Sequence, residues 1–170
     1  MRNLPTKIAS YKAYNNDEEL LGTVEVTLPS VESPTETMSG AGIAGEFEAP
    51  TPGFTSAMQT EVSFRTVTKQ NFSLATNADN TLVLRAAKGS YDEAQGRIKH
   101  RKLKITIRYL PTTIELGSLS SGGTMDGSNT LETLYIKIEE EGEVLAEIDK
   151  INMIYMINGV DYLAEIRDAL

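Results

Sequence analysis

The chain carries 24 Asp and Glu against 16 Lys and Arg over 170 residues, a formal net charge of −8, with one histidine and no cysteine. That composition excludes disulfides and thiolate metal sites and opposes a nucleic-acid-coating role, which needs surplus cations to neutralise phosphates; a wall past which DNA slides ungripped stays compatible with it. No run approaches the roughly 18 apolar residues of a membrane span, residues 1–14 show no apolar secretion core, and the length favours one domain over residues 1–170, burying about 70% of its unfolded surface.

In chain order, Asn15, Asn16 and Asp17 favour a turn through side-chain bonds to local backbone. Residues 21–28 alternate as a half-buried strand does, with Val24, Val26 and Leu28 opposite Thr23, Glu25 and Thr27. Residues 29–57 lose all periodicity and hold Pro29, Pro34, Pro50 and Pro52 with Gly40, Gly42, Gly45 and Gly53. A structureless loop of that length is usually functional, and Met38, Ile43, Phe47 and Phe54 are too apolar for plain disorder. The segment reads as an extended arm, or an irregular hairpin, that docks on another subunit.

Met58, Thr60, Val62 and Phe64 then share one strand face. Thr66 is expected to cap a short helix carrying Val67, Phe72 and Leu74, ended by Asn77, Ala78, Asp79 and Asn80. Residues 82–91 read as a strand. Residues 98–110 read as another, with Leu103, Ile105, Ile107 and Tyr109 on one face, until Pro111 ends or bends it. Residues 117–129 are rich in Gly and Ser and read as a flexible loop. Leu134, Ile136 and Ile138 begin a hairpin that turns at Glu139, Glu140, Glu141 and Gly142. In the return run, Ala146 and Ile148 lie on even positions but Ile151, Met153, Tyr155 and Ile157 on odd ones. One residue is absorbed near Asp149 and Lys150, as a β-bulge or corner would do. Asn158-Gly159 marks a tight turn, and Asp161 is placed to cap a terminal helix with Tyr162, Leu163, Ile166 and Leu170 at helical spacing.

Groups that carry chemistry are scarce. His100 lies in a basic run at a strand start and reads as a solvated surface residue. G-A-G-I-A-G at 40–45 is formally a dinucleotide fingerprint, but that site needs a strand before it and a helix after it. Here prolines follow, so the glycines serve backbone freedom and close approach instead. Glu139, Glu140, Glu141 and Glu143 lack calcium-loop spacing and read as an acidic turn. Arg97, Lys99, Arg101, Lys102, Lys104 and Arg108 concentrate six of the 16 cationic side chains. They form either a solvated strand face, a contact for an acidic surface of another particle component, or a DNA contact. No catalytic residue, cofactor or metal is expected.

Two segments carry a resemblance: V-T-L-P at 26–29 followed by S-G-A-G-I-A-G at 39–45, and E-I-D-K-I-N-M-I-Y-M-I-N-G-V-D-Y-L at 147–163. Together they resemble the major tail tube proteins of contractile phage tails and of R-type phage-tail-like bacteriocins, over residues 20–65 and 130–165. The resemblance implies a mainly-β sandwich or barrel of two near-orthogonal sheets with a helix at its side. It implies hexameric rings stacked into a hollow tube, inner sheets joined across subunits, and a contractile sheath outside. A tube initiator or baseplate, a tail terminator and passage of DNA without specific binding complete the expected partners. Such a particle is made in the bacterial cytoplasm and released by lysis.

On that footing Met38, Gly40, Gly42, Ile43, Gly45, Phe47 and Phe54 are the expected inter-subunit arm residues. Ile148, Ile151, Met153, Tyr155, Asn158, Gly159 and Asp161 would form the core strand and turn. Arg97, Lys99, Arg101, Lys102 and Lys104 are the candidate electrostatic contact. The alternative is a secreted β-sandwich binding module of the lectin or adhesin kind, which calls for a signal peptide and clustered exposed aromatics; this chain has no Trp.

Overall fold

Alternating apolar runs become strands because each can bury one face. The computed structural model describes residues 3–22, 24–76 and 80–170. Its strands are β1 (Asn3–Asn15), β2 (Glu19–Leu20), β3 (Val24–Thr27), β4 (Thr35–Ser39), β5 (Glu46–Pro50) and β6 (Gln59–Phe64), followed by helix α1 (Lys69–Leu74). Then come β7 (Thr81–Asp92), β8 (Arg97–Glu115), β9 (Gly127–Glu140), β10 (Glu143–Asp149), β11 (Ile154–Ile157), β12 (Val160–Asp161) and helix α2 (Ala164–Asp168). The mainly-β class matches the expectation, and the sheet is open, not closed into a barrel.

One path runs β12-β11-β10-β9-β8-β7-β1-β2, and a branch adds β6 and β3. The branch arises on β9. Its first half, from Gly127 to Glu132, pairs with β6, and its second half, from Tyr135 to Glu140, pairs with β10. β8 runs along the other edge of both halves, with register shifts that leave Leu134 and Thr112 unpaired. Each is a β-bulge, which bends a strand and raises its twist. The Leu134 bulge falls between the two partners of β9. It also moves the buried positions from Leu131 and Thr133 to Ile136.

The two leaves enclose one core. Met58, Val62, Phe64 and Leu131 come from the β6 leaf, and Leu82, Leu84, Ile105, Ile107, Ile136 and Ile148 from the long one. Buried between them, the hydroxyls of Thr60 and Thr133 satisfy each other at 2.8 Å. Helix α1 adds the buried Leu74, and the carbonyl of Asn71 accepts from Asn129 Nδ2 at 2.8 Å.

Several expectations need correction. Residues 3–15, which show no clear pattern, form a long strand on β7. Helix α1 starts after Thr68 rather than Thr66, because the Asn71 carboxamide oxygen accepts from both the backbone N–H and the hydroxyl of Thr68. Thr23, Asn77, Ala78 and Asp79 lie outside the described residues. Pro111 bends β8 without ending it. The Gly/Ser loop stops before Gly127, and Ser128 and Asn129 are buried in β9. Glu139 and Glu140 belong to β9, so only Glu141 and Gly142, at φ 51° and 88°, make the turn.

The parity change near Asp149 is no bulge. β10 ends there, residues 150–153 turn, and β11 folds back so that Ile148 faces Tyr155. Asp149 Oδ1 accepts from the N–H groups of Ile151 and Asn152 at 3.0 and 2.9 Å, closing that turn. Ile151, expected in the core, is therefore 72% exposed. An acceptor side chain at the end of a strand can close a turn as readily as it can border a bulge, and alternation alone does not separate the two.

Replacing Ile107, fully buried at the centre of the sandwich, with Ala should cost about 2–5 kcal/mol in urea unfolding. Asn158 and Gly159 both have positive φ, 48° and 81°, so Gly159→Val should cost about 1–2 kcal/mol, the left-handed penalty of a residue with a Cβ. An unchanged melting temperature in that variant would contradict the turn geometry.

Candidate assembly surfaces

The arm is a hairpin. β4 and β5 pair from Thr35–Pro50 to Ser39–Glu46 and, among the described residues, hydrogen-bond to no other strand. Below them, Thr51 N–H donates to the Pro34 carbonyl at 2.9 Å and Ser56 N–H to that of Glu32 at 2.8 Å. The tip holds Gly40, Gly42, Ile43 and Gly45, with Gly42 and Gly45 at φ 91° and 123°. This is the geometry glycine permits, and no helix follows it, so the fingerprint at 40–45 lacks its phosphate-binding context.

Met38 and Phe47 are register partners and stay 46% and 53% exposed, giving the hairpin one largely apolar face, which Ala49 and, near the base, Glu36 share. By alternation Glu46 and Glu48 lie on the other face, with Thr35, Thr37 and Ser39. The Thr37 hydroxyl donates to Glu48 at 2.7 Å, and the Thr37 and Thr35 hydroxyls hold the Glu48 carboxyl below its usual range. Phe54 is not at the tip. It lies at the arm's base beside Ile148, Met153 and Leu163.

That base is fastened to a C-terminal clasp. Gly53 packs so closely on the buried Leu163 that a Cβ there would meet Leu163 Cδ2 at 2.6 Å. Asp161 organises the clasp. Its Oδ1 accepts from the N–H groups of Leu163 (3.1 Å) and Tyr155 (3.3 Å), and its Oδ2 pairs with Arg167 Nη2 at 2.9 Å. Arg167 Nη1 also donates to the Met153 carbonyl at 2.9 Å. Leu163, not Asp161, is the N-cap residue of α2. Tyr155 and Tyr162 meet edge to face at 5.9 Å. The Leu163 N–H bond, helped by Arg167 and Tyr155, holds the Asp161 carboxyl below its usual range. Arg167, and the packing of Gly53 on Leu163, went unrecognised in the sequence, because the partners are distant or irregularly spaced.

The basic stretch is not one patch. Strand alternation sends Arg97, Lys99 and Arg101 to the face shared with the core residues, beyond the core's end. Lys102, Lys104 and Arg108 point to the opposite face with His100. On the first face Lys99 pairs with Asp92 at 2.6 Å, and Glu140 takes Lys88 at 3.2 Å and Arg101 at 3.9 Å. Lys99 holds Asp92 below the usual carboxylate range.

On the second face, Lys12 of β1 is in register with Arg85 of β7, and Arg85 with Lys104 of β8. The Arg108 guanidinium covers the Tyr135 ring at 5.1 Å. Burial and a hydrogen bond to Glu147 push the Tyr135 phenol up to about 12. A separate groove on the outer face of β3 and β6 is rimmed by Glu25, Glu61, Glu115 and Asp126. Among the described residues no group of three or more His, Asp or Glu side chains is placed to hold a metal, and no helix is long and apolar enough to cross a membrane.

The family model of the phage tail tube protein FII matches residues 5–170. Among solved structures, the chain is similar to the sheath/tube terminator of an extracellular contractile injection system, PVC, in the extended state. That match has a TM-score of 0.53 at 10% identity and covers 79% of this chain and 96% of that one. It is also similar to a chain of the PVC sheath-tube complex in the extended state, with a TM-score of 0.51 at 13% identity over 80% of this chain and 90% of that one. No curated protein matches the chain.

Because the folded Asp161 carboxyl titrates below its ordinary value of 3.8, its contribution to stability is present above that pH and is lost as pH falls through the lower folded value. Asp161→Asn should therefore lower the melting temperature at neutral pH and flatten the acid-side decline below pH 3.8. Asp92 acts in the same window, so thermal melts across that range should show a reduced decline, not an abolished one.

Proposed function

The chain belongs to the phage tail tube protein FII family, and from that premise we propose that it is a structural subunit of the inner tube of a contractile phage tail or tail-like particle. Hexameric rings of it stack into a hollow conduit inside a sheath, and the work is mechanical rather than catalytic. The observation that carries this reading is the arm. A two-stranded hairpin is marginal alone in water, yet this one stands off the sheet with Met38 and Phe47 uncovered. An apolar face presented in that way belongs against a neighbour in an assembly.

The open sheet agrees with assembly. Among the described residues β3 and the last five residues of β8, from Pro111 to Glu115, each have a partner on one side only. Unpaired edges invite another chain, and joining sheets across subunits would cover both. Sheath, initiator and terminator contacts, and passage of DNA without binding, come with the same reading. The likeness to a terminator favours a second reading, a ring that caps the tube.

Negative-stain microscopy and light scattering over a concentration series separate these readings. Stacked tubes with sixfold end views are expected of a tube subunit, and single rings that never stack of a terminator. A chain monomeric at every concentration, even with preformed tubes as seeds, would count against both. Deleting residues 36–50 should leave a folded subunit, with unchanged circular dichroism, that no longer polymerises. Normal tubes from that variant would remove the arm from the interface.

A further inference from the structure

We propose that the cation row on the outer face of β1, β7 and β8 is the receptor for the acidic face of the arm hairpin of a second copy of this chain. This rests on the tube-subunit reading only in that the arm reaches another copy. Lys12, Arg85 and Lys104 stand directly opposite one another on three adjacent strands. Their neighbours Ala13, Leu84 and Ile105 are buried, so alternation turns all three cations away from the core. Like charges at directly opposite sheet positions repel. Asp17 offsets only Arg85, at 2.6 Å. Glu139, opposite Lys104, is paired with Lys137 at 3.5 Å. Among the described residues no carboxylate oxygen lies within 4.0 Å of the ammonium group of Lys12, Lys102 or Lys104, although the Glu141 carboxylate accepts from the Lys102 backbone N–H. Arg85, Lys102 and Lys104 line a shallow groove.

The chain itself carries the complement. Residues 13–64 contain nine acidic side chains and no Lys or Arg, and the arm lies wholly within them. Glu46 and Glu48 are two residues apart on one strand, as are Lys102 and Lys104. At about 3.3 Å per residue each pair spans about 7 Å, so two carboxylates match two ammonium groups in a single register.

The faces make the contact one between copies. The arm follows β3, which lies on the inner face of β1, where the Tyr11 hydroxyl donates to the Val24 carbonyl at 2.6 Å, whereas the cation row turns outward from β1, β7 and β8. Two different surfaces of one chain that fit each other generate a head-to-tail contact, which repeats from copy to copy. Opposite charge fixes its register and disfavours others.

The test is a charge swap in the full-length chain, with circular dichroism as the check on folding. Lys102→Glu with Lys104→Glu, or Glu46→Lys with Glu48→Lys, should each abolish sedimenting assemblies, and all four changes together should restore them. Because the chain has no cysteine, single Glu48→Cys and Lys104→Cys variants can be mixed and oxidised. Mixed disulfide dimers should form well above a control in which Asp168→Cys replaces Lys104→Cys. Wild-type assemblies with neither rescue nor cross-link would overturn this contact and leave the tube reading standing. A monomeric wild type without cross-links would overturn both. Duplex DNA retarded by wild type, and released by Lys102→Glu with Lys104→Glu while assembly persists, would assign the row to nucleic acid instead.

Discussion

The fold depends on one strand serving two partners along the same edge. β9 gives its first half to β6 and its second half to β10, and β8 lines its other side throughout. A straight strand cannot place two leaves face to face. The Leu134 bulge lets β9 turn between them, and the Thr112 bulge lets β8 keep pace. The buried cluster then draws on both leaves, so the apolar burial that stabilises the domain exists only because the β8–β9 ladder is bent.

The same ladder positions what the chain presents outward. β10, β11 and β12 extend from the second half of β9 and end in the clasp around Asp161. The clasp receives Gly53 and thereby fixes where the arm leaves the domain. A hairpin rooted in a buried leucine and a carboxylate with three partners departs from a defined place, though its apolar and acidic faces stay uncovered. On the far side of β8, the strands β7 and β1 carry the cation row. Negative and positive surfaces are thus separated across one sheet, as suits a subunit that meets copies of itself in one orientation.

Alternation made Met58, Thr60, Val62 and Phe64 legible as one buried face, and likewise Ile105, Ile107 and Tyr109, because strand periodicity follows from local geometry alone. The Asn158-Gly159 turn was legible for a similar reason, since positive φ at both positions restricts residue choice. β1 was not legible. Residues 4–12 are exposed, and its registration on β7 is interrupted by irregularities, so its side chains lack a clean period. Ile151 misled because a hairpin turn and a bulge leave the same parity change.

The six cations on β8 show where the boundary falls. Their clustering along the chain is a property of sequence, but adjacent residues on a strand point to opposite faces, so the cluster divides. The row that replaces it joins Lys12, Arg85 and Lys104, residues far apart in the chain. By itself the sequence determined the β class, the isolated arm with its apolar and acidic residues, the tight turns and the family signature, because each depends on residues close together. Only the tertiary structure decided the branched sheet, the clasp at the arm's base and which charges share a face. Those depend on strand register and on bulges, which juxtapose residues that carry no mark of one another in the chain.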